Sequence, residues 1–499
     1  MTTGGLAQQL PALQIVIPLI GAVLAAFLRR GATAWALATF VTWLMPIIAA
    51  TLLVRVGSTG PISYHLGGWA PPWGIEYRVD AFSGFMLLLV SSISAVMMPF
   101  ARRSVAFEID GDKQAWFYSM YLLCLTGLLG ICITGDAFNA FVFLEVSSLS
   151  TYVLIALGKD RRALLASYQY LIMGTIGATF YVIGVGLIYL VTGSLNMVDI
   201  ASRLGPAAVD QFRPVVAALA FLTVGISLKL ALFPLHAWLP NAYAYAPSFA
   251  SAFLASTATK VAVYLLVRIV FSIFGLSISL EMARIGGVLM LLSLAAMFVA
   301  SLMAIYEQNL KRMLAYSSVA QIGYVTFGLS LANQSGLTGS IVHLFNHAIM
   351  KGALFMALGA IVYRTGTVKL ADLGGIGRRM PLTCVAFVIA GLGIIGTPGT
   401  AGFISKWYLA AGALDKGQWP LVFLLVASSL IAVVYIGRVV EVAYFRPITP
   451  VVAKASDPPL GMLLPILVLA GATLYFGIFT GWSAGFAANA AQALLGGMK

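Results

Sequence analysis

Long apolar stretches separated by short polar connections run along the whole chain. Because about 20 apolar residues cross a bilayer core of about 30 Å, this pattern predicts about fourteen membrane-spanning helices. Their predicted bounds are 11–28, 34–54, 81–101, 114–133, 137–157, 163–191, 214–239, 247–275, 284–305, 312–332, 337–363, 382–411, 419–445 and 459–480. The connections between them are too short to fold as a domain outside the membrane. The sequence therefore predicts an all-α polytopic membrane protein with a single membrane domain, residues 1–499.

The composition agrees with a chain that lies in lipid. Hydrophobic residues make up 61% of the 499 residues, charged residues make up only 9%, and the mean hydropathy is +0.98. Ordinary soluble domains carry about 25% charged residues. A soluble fold could not bury so much apolar surface.

Basic residues are divided unevenly between the two sides of the predicted membrane domain. Of the 29 Lys and Arg residues, 16 lie in connections on one side and 8, Arg268 among them, on the other, while 5 lie inside spans. Since cytoplasmic connections carry the excess of basic residues, both termini are predicted on the non-cytoplasmic side of a bacterial inner membrane. Anionic lipid is the expected partner of the net charge of +13. Nucleic acid is not expected, because the basic residues form no continuous stripe.

Processing, disulfide and metal chemistry are not indicated. The first span lacks the basic start and the small-residue cleavage site of a signal peptide, so we expect it to be retained. The three cysteines, Cys124, Cys132 and Cys384, all fall in predicted spans, where we expect them to be small core residues. No cofactor and no metal site is predicted.

An internal repeat is indicated when the chain is aligned with itself. An offset of 173 residues places Ser167 on Ser340 and Gly193 on Gly366 without gaps. Spans four to eight, residues 114–275, are therefore predicted to recur as spans nine to thirteen, residues 284–445, with 1–113 and 446–499 as flanking segments. Because each copy has five spans, the second copy would insert upside down, which is the ground plan of many transporters.

Each predicted copy contains one helix that we expect to be broken. Pro234 and Pro240 follow Lys229 in the seventh span, and proline cannot continue a helix without losing a hydrogen bond. In the twelfth span, the glycine-rich run 391–402 comes just before Lys406. Backbone freed at membrane depth is tolerated only where protein or water satisfies it. We therefore expect both lysines beside hydrated cavities near the middle of the membrane.

The spans contain ionisable residues that are costly in lipid. The lysines are Lys229, Lys260, Lys351 and Lys406, and each charged amine at this depth costs roughly 2.5 kcal/mol or more. Glu145, well inside the fifth span, is the expected partner of Lys229. Desolvation lowers the pKa of an amine and a neighbouring carboxylate raises it, so such a group can load and release a proton.

The eleventh span carries a second ionisable series. His343, His347 and Lys351 are four residues apart and so lie on one face of a helix. Histidine titrates near neutral pH. Together with the other ionisable residues of the spans, these side chains predict a proton path along the middle of the membrane.

Plainer interpretations stay open for several residues. Glu145 and Lys229 could form an ion pair that only fixes packing, Lys351 could be a structural donor, and Lys260 and Lys406 could extend to an interface. Satisfied core histidines are an alternative at His343 and His347, and the favoured interpretation of His236 and His65. Asp136 is predicted to cap a helix. Arg438 and Glu441 are predicted to form a salt bridge.

Four motifs resemble those of the antiporter-like subunits shared by Mrp-type multisubunit cation/proton antiporters, respiratory complex I and membrane-bound hydrogenases. They are KLALFPLHAWLPNAY at 229–243, NLKRMLAYSSVAQIGY at 309–324, HLFNHAIMK at 343–351 and GTPGTAGFISK at 396–406. The resemblance covers nearly the whole chain. It implies a proton path made of Glu145, Lys229, Lys260, His343, His347, Lys351 and Lys406.

Within that family, two further runs are most similar to the D-type subunit of Mrp antiporters. They are GIGRRMPLTCVAF at 375–387 and PGTAGFISKWYL at 398–409. A lysine at 406 separates the chain from the M-type subunit of complex I, in which the resemblance implies a glutamate. The N-type subunit of complex I and the hydrogenase subunits remain alternatives.

The predicted function is proton translocation within a monovalent cation/proton antiporter built from several membrane subunits. Protons would reach Glu145 and Lys229, pass through Lys260 to the histidines and Lys351, and leave by Lys406. The resemblance implies exchange for Na⁺, but no oxygen cage for sodium is evident, so we expect partner subunits to hold or share the cation route. A proton-pumping subunit of a redox complex and a non-conducting scaffold are the two alternatives.

Overall fold

The computed structural model describes residues 3–282 and 284–496, and helices make up most of them. The first seven are α1 Thr3–Phe27, α2 Gly31–Thr59, α3 Ala81–Glu108, α4 Gln114–Ile133, α5 Ala137–Ala156, α6 Arg162–Thr192 and α7 Met197–Asp210. The next seven are α8 Phe212–Leu230, α9 Leu239–Tyr245, α10 Ser248–Ser256, α11 Ala258–Val267, α12 Ile285–Ala295, α13 Ser301–Tyr306 and α14 Leu310–Leu331. The last seven are α15 Gln334–Thr365, α16 Ile376–Arg379, α17 Pro381–Ile395, α18 Ala401–Asp415, α19 Trp419–Val440, α20 Leu460–Ile478 and α21 Gly481–Leu495. Two π-helical turns, Arg268–Ile273 and Glu441–Phe445, extend α11 and α19.

Twelve helical segments in the described part of the chain are long and apolar enough to cross a membrane. Two further predicted spans differ for visible reasons. α14 has 22 residues but carries Lys311, Arg312 and Gln321, and the span predicted at 382–411 is interrupted between α17 and α18. With these two, the described helices account for the fourteen predicted spans. The prediction of an all-α polytopic membrane protein is confirmed.

Three elements lie where only polar connection or chain end was predicted. An antiparallel hairpin, β1 Ile62–His65 and β2 Glu76–Val79, occupies the connection before α3, and His65 pairs with Glu76 across it. α7 occupies the connection after α6, and α21 follows the fourteenth span. His65 is exposed in β1, so the predicted core position of this histidine is wrong. We call the side of the molecule that carries β1 and β2 the hairpin face; it is the side predicted to be non-cytoplasmic.

Both predicted helix interruptions are present. α8 ends one residue after Lys229, where Ala231 has the left-handed conformation (φ 59°) and the chain turns back before α9. α17 ends at Ile395, the next residue, Gly396, is also left-handed (φ 86°), and α18 then begins at Ala401 and carries Lys406. A third interruption, at Thr257 between α10 and α11, was not predicted. All three lie close in sequence to a buried lysine.

Hydrogen bonds recur at the offset of 173 residues that the sequence indicated. The matched pairs are Ala137 N to Leu195 O and Leu310 N to Val368 O, Met197 N to Gly135 O and Leu370 N to Gln308 O, and Ser167 Oγ to Tyr152 O and Ser340 Oγ to Val325 O. These contacts support the repeat of residues 114–275 and 284–445, which stays a prediction.

A buried carboxylate attaches the hairpin to the helices. Glu76 in β2 accepts hydrogen bonds from Ser63 Oγ at 2.5 Å and from Asn196 Nδ2 at 2.7 Å. Asn196 also caps α7 through Val198 N and Asp199 N. One side chain thus joins β1, β2 and the start of α7.

Replacing Glu76 with alanine is expected to destabilise this corner, because two donors lose their acceptor at a buried site. Such a loss costs about 1–3 kcal/mol, and the apparent melting temperature of the solubilised protein should fall. Glu441→Ala is the control, since its pair with Arg446 is half-exposed and exposed pairs contribute about 0–1 kcal/mol. Equal melting temperatures for the two variants would contradict the assignment.

Candidate proton path

Glu145 and Lys229 lie together between α5 and α8. The Lys229 ammonium donates a hydrogen bond to Ser148 Oγ at 2.5 Å, and Nζ lies 3.7 Å from Glu145 Oε1. Lys229 is buried, whereas the side chain of Glu145 keeps 26% of its surface exposed. Glu145 Oε1 itself has no hydrogen-bond donor in the described part of the chain. The amine is therefore bound to a hydroxyl, and the carboxylate is near enough to sense its charge.

The end of α8 is closed by groups other than Lys229. Trp238, beyond the turn, donates its indole N–H to Leu228 O at 2.9 Å, and Leu232 N donates to Ser227 O at 3.0 Å. The alternative in which Lys229 caps freed carbonyls therefore has no support among these contacts. The amine stays available to Ser148 and Glu145.

Lys260 lies in the first turn of α11, directly after the interruption at Thr257. Its amine donates hydrogen bonds to the carbonyl of Ala255 and, at 3.3 Å, to Thr259 Oγ1. The hydroxyl of Thr257 donates to Phe253 O at 2.7 Å. The side chain of Lys260 is buried, so the alternative in which it extends to an interface is wrong.

His343 and His347 are buried in α15 with nearly parallel rings 6.0 Å apart. His343 Nδ1 lies 2.7 Å from Ser405 Oγ in α18, and Nε2 lies 2.9 Å from Gln321 Oε1 in α14. His347 Nε2 has no protein partner within the described residues. A buried polar atom of this kind calls for a water molecule as its partner. His343 is thus a satisfied core histidine by its contacts, and His347 is not.

Lys406 is bound to the broken end of α17. Its amine donates to Ile394 O at 3.1 Å, to Ile395 O at 2.8 Å and to Ser429 Oγ at 2.8 Å. It also lies 4.4 Å from the ring centre of Tyr324, a cation–π distance. The Tyr324 ring is in turn 5.7 Å from that of His343. Lys406 is buried, and its predicted alternative position at an interface is wrong.

Lys351 connects the two halves by position. It lies one turn beyond His347 in α15, is fully buried and donates to Leu314 O of α14 at 2.8 Å. The neighbouring Gly352 is so close to α10 that an added methyl group would meet Ser256 Oγ at 3.2 Å. Ser256 is the last residue of α10 before the interruption that precedes Lys260. The helices that carry Lys260 and Lys351 are therefore packed directly against each other.

The structure thus brings the seven predicted residues into three groups: Glu145 with Lys229, Lys260 beside Lys351, and the histidines with Lys406. No direct hydrogen bond joins one group to another among the described residues. Tyr152 OH and Tyr243 OH, both buried, also have no protein partner in the described part of the chain. Ordered water is the expected link between such groups.

Two sequence-based predictions outside the path have clear outcomes. Asp136 caps α5 by accepting from Asn139 N at 2.7 Å, as predicted, and burial raises the pKa of this carboxyl in spite of that bond. The predicted Arg438–Glu441 salt bridge is wrong. Glu441 pairs with Arg446 at 3.0 Å, because a π-helical turn begins at Glu441 and changes the spacing along the helix.

Sequence reasoning missed several residues that contact the path. Tyr324, Gln321 and Ser405 carried no signal, since their role depends on how α14 and α18 pack around α15. Arg268 did carry one. It was counted with the connections of the hairpin face, but it lies buried at the end of α11, eight residues after Lys260 and on the same face.

Residues 134–432 match the family model described as NADH:quinone oxidoreductase/Mrp antiporter, transmembrane. The chain belongs to this family. The chain is 41% identical over 485 residues to NADH-quinone oxidoreductase subunit N of Desulforudis audaxviator, covering 94% of this chain and 96% of that protein. It is 28% identical over 484 residues to the D-type subunit of the Na(+)/H(+) antiporter of Bacillus subtilis, covering 97% and 96%.

Two solved structures are similar over nearly their full length. A chain of the membrane-bound sulfane sulfur reductase, an archaeal respiratory membrane complex, superposes with a TM-score of 0.90 at 31% identity, covering 98% of both chains. A chain of the Mrp complex from Dietzia sp. DQ12-45-1b superposes with a TM-score of 0.86 at 27% identity, covering 99% of this chain and 100% of that one. The chain is therefore an antiporter-like subunit of the Mrp or complex I type, and a multi-pass membrane protein.

Proposed function

We propose that this chain is the proton-translocating subunit of a multisubunit monovalent cation/proton antiporter. The observation that carries the proposal is the row of buried amines and imidazoles between Lys229 and Lys406, each beside a helix interruption or a hydroxyl. Exchange of protons along the row, through water between the three groups, would carry charge across the middle of the membrane. We expect the chain to act as a transport component, with Na⁺ bound mainly by partner subunits.

Partner subunits are favoured by the surface beside Glu145. The exposed side of α5 carries Phe138, Val142, Leu149 and Val153, and Glu145 lies among them. A carboxylate that faces lipid at this depth is costly. A neighbouring membrane subunit that covers this face would remove the cost and bring Glu145 next to its own ionisable groups.

Proton pumping in a redox complex is the second candidate. It is favoured by the 41% identity to a protein named NADH-quinone oxidoreductase subunit N and by the likeness to a subunit of a respiratory complex. In that case the same row would move protons, and electron transfer in other subunits would drive them.

Purification of the complex through this chain separates the two candidates. We expect that, in sealed proteoliposomes with an acidic interior, added Na⁺ will collapse the proton gradient, as followed by a pH-sensitive dye. A complex that ignores monovalent cations but acidifies the lumen when given a reductant and an electron acceptor would establish the second candidate. A complex that does neither would contradict both.

A further inference from the structure

A polar face of α11 leads from Lys260 toward the hairpin face. Lys260, Tyr264, Arg268 and Ser272 follow at intervals of four residues, which places them on one side of the helix. Arg268 Nε donates to Tyr264 OH at 3.0 Å, and Nη1 lies 3.5 Å from Ser272 Oγ. Tyr264 OH donates to Cys132 O at 2.9 Å. From Lys260 to Arg268 the helix rises about 12 Å.

Arg268 is held by a carboxylate and two aromatic rings. Its guanidinium forms an ion pair with Asp80, directly before α3, and lies over the rings of Phe82 at 5.3 Å and Tyr264 at 5.1 Å. Asp80 is fixed in turn, because it caps α3 through Ser83 N at 2.9 Å. Burial by itself would raise the pKa of Asp80, but the charge and hydrogen bond of Arg268 hold this pKa below its ordinary value.

A cavity of about 510 Å³ lies against this pair on the hairpin face. We call it the hairpin vestibule; Arg78, Asp80, Phe82, Arg268 and Ser272 contribute to its wall. A second cavity of about 20 Å³, room for a water molecule, contacts Arg268, Asp80 and also Tyr264. The pair therefore lies between space reached from the hairpin face and the tyrosine that follows Lys260 along α11.

Exposure falls steadily along this route. The side chains of Arg78 and Asp80 keep 24% and 22% of their surface, that of Arg268 keeps 9%, and Lys260 keeps 2%. Beyond the pair, the hydroxyl of Tyr264 is the polar group next along the same face. Solvent contact thus ends at the Asp80–Arg268 pair.

We propose that the Asp80–Arg268 pair is a gate between the hairpin vestibule and Lys260, and that the vestibule is a mouth through which protons reach or leave the first half of the path. This inference rests on the proposed function. When the guanidinium leaves Asp80, water can follow it to Tyr264, and a chain of water and hydroxyl groups then connects the vestibule with the Lys260 amine. A proton on Lys260 repels Arg268 along the same helix face and so favours opening.

The alternative is that the pair only fastens α3 to α11. Both roles predict that breaking the pair lowers stability, so stability cannot distinguish them. Accessibility can, because a gate separates solvent from Lys260 and a fastener does not.

Thiol labelling in the complex with its partner subunits tests the gate. The buried Cys124, Cys132 and Cys384 are first replaced by alanine, and Lys260→Cys is introduced. A membrane-impermeant, ammonium-bearing methanethiosulfonate is added to either side of sealed vesicles. We expect slow labelling while the pair is intact and labelling at least about tenfold faster, from the hairpin face alone, when Asp80→Asn is added, because loss of a buried ion pair shifts an equilibrium by more than that factor.

Two further variants keep the test decisive. Arg268→Gln opens the gate from the other side and replaces Asp80→Asn should that variant not assemble. Glu108→Gln is the matched control, because Glu108 is a carboxylate 4.0 Å from the buried Lys311 in a pair away from the vestibule, and labelling should not change. Equal rates with the pair intact and broken would overturn the gate. Labelling needs no transport, so a complex that exchanges cations for protons yet shows equal rates would overturn this inference alone.

Discussion

Lys229→Ala is expected to lower proton-coupled transport by the assembled complex by at least about 100-fold, the low end of what a positioned proton donor contributes. The change removes the amine that binds Ser148 and leaves Glu145 Oε1 with no cation 3.7 Å away. Transport is measured as dye-detected collapse of the proton gradient, normalised to the amount of complex. Undiminished transport would support the scaffold interpretation and contradict the path.

Two companion variants sharpen this result. Lys311→Ala is the matched control, because Lys311 is also buried and lies 4.0 Å from a carboxylate, Glu108, but it is outside the row. It should keep most of its transport. Lys229→Arg keeps the positive charge but cannot release a proton. If Lys229→Arg were fully active, Glu145 and Lys229 would be an ion pair that fixes packing, as in the plainer interpretation.

Lys406→Ala is expected to have a comparable effect, because it removes the last amine of the row. The variant also frees Ile394 O and Ile395 O at the end of α17, so some loss of stability is expected with it. Ser429→Ala is the control that separates the two effects. It deletes one of the three hydrogen bonds of the amine at 2.8 Å but leaves the amine in place.

The expected outcome is therefore a loss of about 100-fold for Lys406→Ala, by the same reasoning on proton transfer, and less than about tenfold for Ser429→Ala. Both are measured in the same proteoliposomes, with the amount of assembled complex determined for each. Equal losses in the two variants would mean that Lys406 acts through the structure of the broken helix and not by carrying protons.

Much of the fold could be predicted because its causes are local. Apolar length places the spans, and proline or glycine beside Lys229 and Lys406 places two interruptions. The interruption at Thr257 has no such residue. It depends on contacts, since the Thr257 hydroxyl binds Phe253 O and Lys260 takes the carbonyl of Ala255. A threonine that bonds four residues back is common in regular helices as well, so its presence in a sequence does not indicate a break.

The remaining errors also have physical causes. The hairpin strands have four residues each, too few for a periodic signal, and Glu76 holds them through a partner 120 positions away. The Arg438–Glu441 pair was predicted from the spacing of an α-helix, which the π-helical turn at Glu441 does not keep. Among the candidate path residues, charge in an apolar span identified each lysine, but it could not supply Gln321, Ser405 or Tyr324, which come from separate helices.

The hydrogen-bond partners of the amines limit how the interior can hold charge. Lys260, Lys351 and Lys406 rest on main-chain carbonyls, which accept a proton donor but carry no compensating negative charge. Glu145 gives Lys229 a counter-ion, whereas these three amines have none among the described residues. Like charges in a weakly polar interior repel strongly. A row of this kind cannot fill at once; it passes a single surplus charge forward, and each amine must empty before its neighbour can load.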